Sequence, residues 1–571
     1  MGIFLFSSTI GAADFEGIWK GTALGPDGNP MEIFYEFDLT GKNLEGYVLT
    51  KLGGGSFSGG KIDGDNISFF VETPELTIYE NGTLSDDVIN MTQKKGDDVA
   101  QFTLKRFTQG TGTVDITGTW TGLINKPILK IYRSSKGLLF YSTLDVPEQG
   151  LKNISFDKTE FKDGKLHLEL RPVNLSFDGV INAEGTEIFG KIKQNGTRPL
   201  LLKKTGKTEL LTKNRILSTF AEQIAEDVKE DNLGCITAAV IKDGEIIWKK
   251  AFGLADKDKN IPAVAETIGR TGSISKSFTA VLMMVLAEKG IISLDDPVEK
   301  YLPEINQLAD RPDEAEKITF RHLASHTAGI IREPKLQDAA SGPIGQWTDK
   351  ILMSIPKTSY KSLPGMEFSY SNIGYGILGY ALERAANKRL IQMMEEYIFK
   401  PLKMENTAFI LTSEQSKILS TGYANRPDGS FNSEIPAKEH LGRGYKVPNG
   451  GIYSNVTDMA NFLYALTDIH GYRILSKKSL DEMFKVQTPD SRQGLYGLGF
   501  FIFKNPNKVN LIGHGGSVAG YTAYMVFDPH LKSGVVLFRN YNIGKTNLQM
   551  ASMNLLNMLN KVAFVEQSIT K

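Results

Sequence analysis

Cysteine is nearly absent from this chain, which has one, Cys235, in 571 residues. A single cysteine excludes an intramolecular disulfide, and the apolar run from Cys235 to Val240 predicts a buried strand residue rather than a nucleophile. An excess of charge of one sign is also absent, because 65 Lys and Arg balance 65 Asp and Glu. Without a long-range field that attracts polyanions, the chain is predicted to have no nucleic-acid partner.

Long hydrophobic runs are missing as well. The apolar stretch from Phe278 to Ala287 is far shorter than the roughly 20 residues that cross a bilayer, so we predict no membrane span. Residues 1–13 contain an apolar segment and end in small residues, but no basic residue precedes them. We interpret residues 1–13 as a signal remnant and predict export to the periplasm or the extracellular space, with a cytoplasmic location as the alternative.

What the sequence does contain is ample apolar material, with 41% hydrophobic and 23% charged residues, enough for more than one packed core. Up to about residue 206, short alternating strands are separated by turn dipeptides such as Asp63-Gly64. The segment Gly17-Ile18-Trp19 recurs about 100 residues later as Gly118-Thr119-Trp120. This repetition predicts two related all-β units.

The bounds of these units are predicted as 14–110 and 111–206. Their Gly-x-Trp opening resembles the first strand of lipocalin-like barrels. After residue 213 the pattern changes, because an amphipathic run, a hairpin at Asp243-Gly244, long helical patterns and further strands follow one another. We therefore predict a multidomain protein in which residues 213–566 form an α+β domain, with an antiparallel sheet flanked by helices and a helical insert.

The motif Ser-x-x-Lys occurs five times, and context selects among the five. Only Ser273 opens a long apolar helical run, which places Lys276 one turn further on the same face. A serine hydroxyl becomes a good nucleophile when a base removes its proton, and a desolvated lysine can do so. The helix N-terminus adds positive potential near a developing oxyanion. Ser273 and Lys276 are therefore the candidate catalytic pair.

Several further short sequence motifs follow this pair along the chain. On the basis of these motifs, residues 233–565 resemble the superfamily of serine β-lactamases and penicillin-binding proteins. The resemblance is to its class C-like branch, which also contains family VIII carboxylesterases and D-aminopeptidases. The motifs are Ser273 to Lys276, Ser293 to Val298, His322 to Gly329, Pro364 to Asn372 and Gly513 to Gly516.

The resemblance implies that Tyr370 shuttles protons as the third catalytic residue and that Asn372 holds the substrate amide or the lysine. A phenol beside an ammonium is expected to shift toward phenolate, which would make Tyr370 a base. Tyr-x-Asn occurs four times, and the serious competitor is Tyr453-Ser454-Asn455. There, Ser454 or Asn455 is predicted to cap the next helix instead.

The third motif departs from the Lys-Thr-Gly of the β-lactamases, because this chain has His514-Gly515-Gly516. The three residues are predicted to orient substrate. Histidine is a weaker, pH-dependent cation than lysine, and Gly515 lacks a hydroxyl, so poor recognition of a penicillin carboxylate is expected. By family analogy, the backbone N–H groups of Ser273 and Ser517 form the oxyanion hole.

Other polar residues are given structural interpretations. His322 and His326 lie four apart without the acidic partner of a zinc protease motif, and we predict no metal and no cofactor. Arg539 and Asn540 either touch substrate or, as the favoured interpretation, form a solvated strand end. Tyr375 is predicted to pack in the core.

The favoured function is a serine hydrolase that forms an acyl-enzyme on Ser273 and acts on small carboxylic esters or on D-amino-acid amides and peptides. One alternative is a β-lactamase or a penicillin-binding protein of the D-Ala-D-Ala type. A second alternative is a non-catalytic module for association with the cell envelope. The two β units are expected to bind a ligand or to shape the active-site entrance.

Overall fold

The computed structural model describes residues 14–40, 43–73, 76–133, 140–208, 211–426, 429–489, 494–504 and 510–567. The predicted signal remnant, residues 1–13, lies outside the described residues. The chain divides into two compact units, Met1–Thr212 with Val565–Lys571, and Lys213–Phe564. Within the described ranges, no helix is long and apolar enough to cross a lipid bilayer.

The first unit begins with eight antiparallel strands that close into a barrel in sequence order. Trp19 is fully buried in this barrel, where its ring N–H donates to the backbone oxygen of Phe15 at 2.8 Å and the guanidinium of Arg106 lies 4.4 Å from its ring centre. The strands are β1 (Gly17–Leu24), β2 (Pro30–Thr40), β3 (Asn43–Thr50), β4 (Gly53–Asp63), β5 (Asn66–Glu72), β6 (Thr77–Ser85), β7 (Val88–Lys95) and β8 (Asp98–Arg106).

Nine further strands form an antiparallel sheet in the order β12-β11-β10-β9-β17-β16-β15-β14-β13, with β12 and β13 at its edges. Trp120 repeats the arrangement of the barrel, since its ring N–H donates to the Ile116 oxygen at 3.0 Å and Lys204 lies over its ring. The strands are β9 (Gly118–Gly122), β10 (Ile128–Arg133), β11 (Phe140–Val146), β12 (Leu151–Ser155), β13 (Lys158–Lys162), β14 (Lys165–Leu170), β15 (Leu175–Ile181), β16 (Glu187–Lys193) and β17 (Thr197–Gly206).

The second unit is built on an eight-stranded antiparallel sheet in the order β20-β19-β18-β29-β28-β27-β26-β25. Every residue of β29 is buried, as is nearly all of β18, which shows that helices cover both faces of the sheet centre. Two separate two-stranded sheets, β21-β24 and β22-β23, complete the strands of this unit. All the strands are β18 (Cys235–Lys242), β19 (Glu245–Asp256), β20 (Ile261–Pro262), β21 (Gly269–Arg270), β22 (Ala424–Asn425), β23 (Phe431–Asn432), β24 (Tyr453–Ser454), β25 (Leu495–Tyr496), β26 (Phe501–Phe503), β27 (Leu511–Val518), β28 (Tyr521–Asp528) and β29 (Ser533–Arg539).

The helices of this unit precede, interrupt and follow the sheet, so the predicted α+β architecture is confirmed. Helix α2 is buried from Ser275 to Leu286, as expected for a helix that is apolar on nearly all sides. The helices are α1 (Lys213–Asp231), α2 (Ser275–Glu288), α3 (Phe320–Ala324), α4 (Trp347–Ser354), α5 (Asn372–Ala386), α6 (Leu390–Met394), α7 (Ser413–Lys417), α8 (Glu434–Glu439), α9 (Val447–Gly450), α10 (Val456–Leu466), α11 (Lys477–Met483) and α12 (Leu548–Gln567).

Local sequence signals explain several of these elements. Asp243 and Gly244 both have positive φ, as the tight turn of the β18–β19 hairpin requires. The side chain of Asn455 accepts from the N–H of Asp458 and caps α10, which confirms the capping interpretation of that Tyr-x-Asn triplet. Cys235 is buried on β18, and burial raises the pKa of its thiol to about 12, so it is an unreactive strand residue as predicted.

Candidate active site

Ser273 lies in a single 3-10 turn, Gly272–Ile274, that leads directly into α2. The turn packs against β27. A Cβ on Gly516 would stand 3.0 Å from the backbone nitrogen of Ser273, and a Cβ on Gly272, which has φ +53°, would stand 2.7 Å from that of Ser517. Only glycine at 272 and 516 allows the two backbones to approach this closely. The third motif therefore lies against the turn that carries Ser273.

The ammonium nitrogen of Lys276 is fully buried beneath Ser273. Its Nζ lies 3.1 Å from the Ser273 Oγ, 2.7 Å from the Asn372 Oδ1 and 3.3 Å from the Asn449 backbone oxygen. Burial, followed by the positive charge of Arg332, lowers the pKa of Lys276 well below its ordinary value. Lys276 is thus favoured as a neutral amine.

A neutral amine has two hydrogens and one lone pair. The two amide oxygens, of Asn372 and Asn449, can only accept, so they take both hydrogens of the Lys276 amine. In the protonated form the Lys276 Nζ donates to the Ser273 Oγ, whereas in the neutral form its lone pair is left for the Ser273 hydroxyl proton.

The side chain of Asn372 is held by a carboxylate that the sequence analysis did not identify. Its Nδ2 donates to Glu333 Oε1 at 2.5 Å, which directs its Oδ1 toward Lys276. The other carboxylate oxygen of Glu333 accepts from the Tyr445 hydroxyl and lies 3.2 Å from the Lys446 ammonium. Because both ends of the Asn372 amide are occupied, Asn372 orients the lysine in this structure.

Tyr370 lies beside both members of the pair. It lines the same cavity as Ser273, and the Lys276 Nζ is 4.8 Å from its ring centre. Burial raises the pKa of Tyr370 to about 12, so the expected shift toward phenolate is wrong. The expectation assumed a charged ammonium beside the phenol, whereas burial lowers the pKa of the lysine and raises that of the phenol.

His326 fixes the backbone on either side of Tyr370. The N–H of Ser369 donates to the His326 backbone oxygen at 2.8 Å, and the N–H of Ser371 donates to its ring Nδ1 at 3.0 Å. The imidazole packs 4.1 Å from the Tyr370 ring, centre to centre. His322 takes part in the capping box of α3. Within the described part of the chain, no group of three or more His, Cys, Asp or Glu side chains is arranged to hold a metal ion.

His514 of the third motif is 1% exposed, and both of its ring nitrogens have protein partners. Its Nδ1 donates to the Gly515 oxygen at 2.6 Å, and its Nε2 accepts from the Tyr496 hydroxyl at 3.0 Å. Burial lowers the pKa of His514 to about 3. The ring is therefore neutral and leaves no free N–H for a substrate in this conformation.

An open cavity of about 940 Å³ lies over Ser273. Arg539, at the end of β29, is among its lining residues and is only 7% exposed, while the neighbouring Asn540 is 2% exposed. The favoured interpretation of a solvated strand end is therefore wrong. Arg539 donates to the backbone oxygens of Thr546 and Asn542 and so holds the loop after β29, whereas Asn540 accepts from the N–H of Cys235 and donates to the Thr421 oxygen.

The structure thus brings together the sequence-predicted residues of all three motifs, and it adds partners that the motifs did not contain. Other members of the cluster are Arg332, Glu333, Asn449, Tyr496 and Tyr524. Arg332 and Glu333 follow the His322-to-Gly329 motif by three and four residues, but no local pattern marks them. Tyr375 is fully buried and donates to the Ala324 oxygen, as expected for a core residue.

Comparison with known proteins agrees with this arrangement. The family model described as Beta-lactamase matches residues 220–556, more than half of the chain. The fold and the site are those of a β-lactamase-like domain of the serine β-lactamase and penicillin-binding protein superfamily. The chain belongs to the Beta-lactamase family, which is part of a hydrolase superfamily. The resemblance inferred from the motifs is confirmed.

Two curated relatives and a solved structure illustrate the similarity. The chain is 29% identical to Beta-lactamase-like protein 2 of Dictyostelium discoideum over 55% of this chain and 57% of that protein. It is 24% identical to Protein flp of Staphylococcus aureus strain MW2, over 56% of this chain and 62% of that protein. The matches thus span less than two thirds of these relatives. The octameric penicillin-binding protein homologue from Pyrococcus abyssi superposes with a TM-score of 0.52 at 27% identity, covering 60% of this chain and 77% of that one.

Proposed function

We propose that the protein is a serine hydrolase that forms an acyl-enzyme on Ser273 and acts on small carboxylic esters or on D-amino-acid amides and peptides. The observation that carries this proposal is the 3.1 Å contact between the Ser273 hydroxyl and the buried Lys276 amine. A buried amine whose pKa is lowered is a base that is free to accept a proton near neutral pH.

In the acylation step, the Ser273 Oγ attacks the substrate carbonyl carbon while its proton passes to the Lys276 Nζ. The carbonyl oxygen becomes an oxyanion, for which we propose the backbone N–H groups of Ser273 and Ser517 as donors. The bond to the leaving group then breaks, and Tyr370 supplies the proton that the leaving group needs. The resulting phenolate recovers a proton from the Lys276 ammonium.

Deacylation repeats these steps with water as the nucleophile. Lys276 accepts a proton from the attacking water, the acyl bond to Ser273 breaks, and the serine oxygen takes that proton from the Lys276 ammonium as the acid leaves. Asn372 acts in both halves by holding the amine in place. We propose a role for His514 and Gly515 in shaping the cavity, because the His514 ring nitrogens are occupied and Gly515 has no side chain.

The same features weaken recognition of a β-lactam carboxylate by the third motif. The third motif offers neither a cation nor a hydroxyl to a penicillin carboxylate, since burial keeps His514 neutral.

For the domain organisation, we propose β units at 14–110 and 111–206 before a catalytic domain at 213–566. We also propose that the protein is exported.

The experiment that tests the proposal is intact-mass spectrometry after brief mixing with a p-nitrophenyl ester or with a penicillin. We expect an acyl adduct with the ester that decays as product accumulates and that is absent from Ser273→Ala. A long-lived penicillin adduct without ester turnover would identify a penicillin-binding protein instead. No adduct with either reagent would overturn the hydrolase proposal in favour of a non-catalytic module.

Glu333→Gln is expected to move the acid limb of the kcat/KM profile to lower pH by about one unit. The carboxylate raises the pKa of Lys276, so removing its charge lowers that pKa, and the amine then stays unprotonated to a lower pH. The profile is measured with a p-nitrophenyl ester.

The matched control for this shift is Glu414→Gln, the same chemical change at a side chain that is 82% exposed on α7. It should leave the profile unchanged. An acid limb that stays in place in Glu333→Gln, or that moves equally in both variants, would refute a charge effect of Glu333 on Lys276.

A further inference from the structure

The charged side chains that line the cavity over Ser273 are of one sign. Among the described lining residues, three are basic, Arg332, Arg539 and Lys545, and none is Asp or Glu. Unlike the chain as a whole, which has balanced charge, the cavity wall is positive. A concave site with charge of one sign raises the local concentration of ligands of the opposite sign.

The three basic residues differ in how far their donors are already used. Arg539 donates to backbone oxygens, and Lys545 forms an ion pair with Glu230. Arg332 is 63% exposed, and its contact with Glu333 is 3.7 Å, longer than a hydrogen bond. Its guanidinium lies 5.0 Å from the ring centre of Tyr370, beside the proposed catalytic group. Arg332 therefore has donors available to a ligand next to the reaction centre.

A positively charged substrate finds no acidic counterpart among the described residues of the cavity wall. The carboxylate of Glu333 is nearest in sequence to Arg332, but it is already in contact with Asn372, Tyr445 and Lys446. The ammonium of a D-amino-acid amide would meet like charge and no acidic partner among the described lining residues, and like-charge contacts disfavour binding. The cavity thus disfavours one of the two substrate classes proposed above.

A second donor points to the same conclusion. The hydroxyl of Tyr524 is buried, lines the cavity and has no hydrogen-bond partner among the described residues. Burial raises the pKa of Tyr524, so the phenol remains protonated. Its ring packs over Gly515, where a Cβ would approach it to 3.1 Å. A buried, unpartnered O–H is costly unless a ligand oxygen accepts its hydrogen bond.

We propose that the substrate is an ester that carries, in addition to the ester group, one negatively charged group, and that Arg332 binds this charged group. The proposal rests on the serine hydrolase function and narrows it, because it places anionic esters before neutral esters and excludes D-amino-acid amides as the preferred class. The expected contact is a charge-assisted hydrogen bond from the guanidinium to an anionic oxygen.

The test compares two p-nitrophenyl esters, butyrate and hemiglutarate, which differ by one terminal carboxylate. We expect the wild type to hydrolyse the hemiglutarate with a kcat/KM about tenfold or more above that of the butyrate. D-Alanine p-nitroanilide should be hydrolysed more slowly than either ester. The ratio of the two ester values is the readout, since effects of a variant on Lys276 or Tyr370 cancel in it.

Arg332→Ala is expected to bring this ratio close to one, Arg332→Lys to restore part of it, and Arg332→Glu to invert it. Arg389→Ala removes an arginine of similar exposure that pairs with Glu383 on the surface, and it should keep the wild-type ratio. A fall of the ratio in Lys545→Ala but not in Arg332→Ala would overturn the assignment to Arg332.

Two results would overturn the proposal itself while leaving the hydrolase function intact: a wild type that hydrolyses the butyrate at least as well as the hemiglutarate, or an efficient D-alanine p-nitroanilidase. Failure of the hydrolase function is distinguishable, because it would abolish turnover of every ester together with the adduct on Ser273. A ratio that persists in Arg332→Glu would exclude Arg332 as the binding residue.

Discussion

Lys276→Ala is expected to lower kcat/KM toward p-nitrophenyl esters by at least about 10⁴-fold, because loss of the base or of the group that orients it costs serine hydrolases about 10⁴- to 10⁶-fold. The amine is the group placed to accept the Ser273 proton, at 3.1 Å. Steady-state kinetics give the loss, and intact-mass spectrometry should show that acylation itself is slowed.

Lys276→Arg is the informative companion variant. Its guanidinium stays protonated and has no lone pair to accept the Ser273 proton, so it should not restore activity. Recovery of more than a tenth of the wild-type rate in Lys276→Arg would contradict a base at this position and would favour a purely electrostatic role.

Thermal unfolding separates loss of catalysis from loss of fold. A lysine whose folded pKa lies below its unfolded value destabilises the native state as pH falls below the unfolded value near 10.5, because the unfolded chain then binds more protons. Lys276→Met removes this destabilisation and retains most of the side-chain volume. Its Tm at neutral pH should therefore equal or exceed that of the wild type, and a large fall in Tm would show that the amine is needed for folding.

The same amine shows where prediction from sequence succeeds and where it stops. The position of Ser273 before an apolar helix and the spacing to Lys276 are local features, and both appear in the structure as expected. The protonation states are not local. They depend on burial and on charges such as that of Arg332, which is remote from α2 in sequence, so the shift of Tyr370 toward phenolate was expected from the sequence, whereas burial raises the pKa of its phenol.

Contacts between residues remote in sequence also limit what could be predicted for other parts of the fold. The repeat predicted two β units, and both bury a tryptophan with the same contact four residues earlier. The pattern did not reveal that the first set of strands closes into a barrel while the second has free edges. Likewise, the end of β29 has polar residues typical of a solvated strand end, yet Arg539 and Asn540 are buried because neighbouring loops supply their hydrogen-bond partners.

Gly516→Ala is expected to lower kcat by at least about 100-fold, the loss seen when one oxyanion donor is removed. A Cβ at 516 would lie 1.9 Å from the Thr271 backbone oxygen and 3.0 Å from the Ser273 nitrogen. Neither backbone atom can move aside as a flexible side chain can. The nucleophile turn and β27 must therefore separate, which displaces the Ser273 and Ser517 N–H groups from each other.

Gly515→Ala is the matched control, one residue away on the same strand. A Cβ there would approach only the edge of the Tyr524 ring, at 3.1 and 3.3 Å, and a ring can shift by a few tenths of an ångström. Its kcat should stay within about tenfold of the wild type. Ester kinetics on both variants, with near-UV circular dichroism to verify the fold, give the comparison. Equal values of kcat in the two variants would show that the spacing between Ser273 and Ser517 does not limit the reaction, and the proposed oxyanion hole would have to be placed elsewhere.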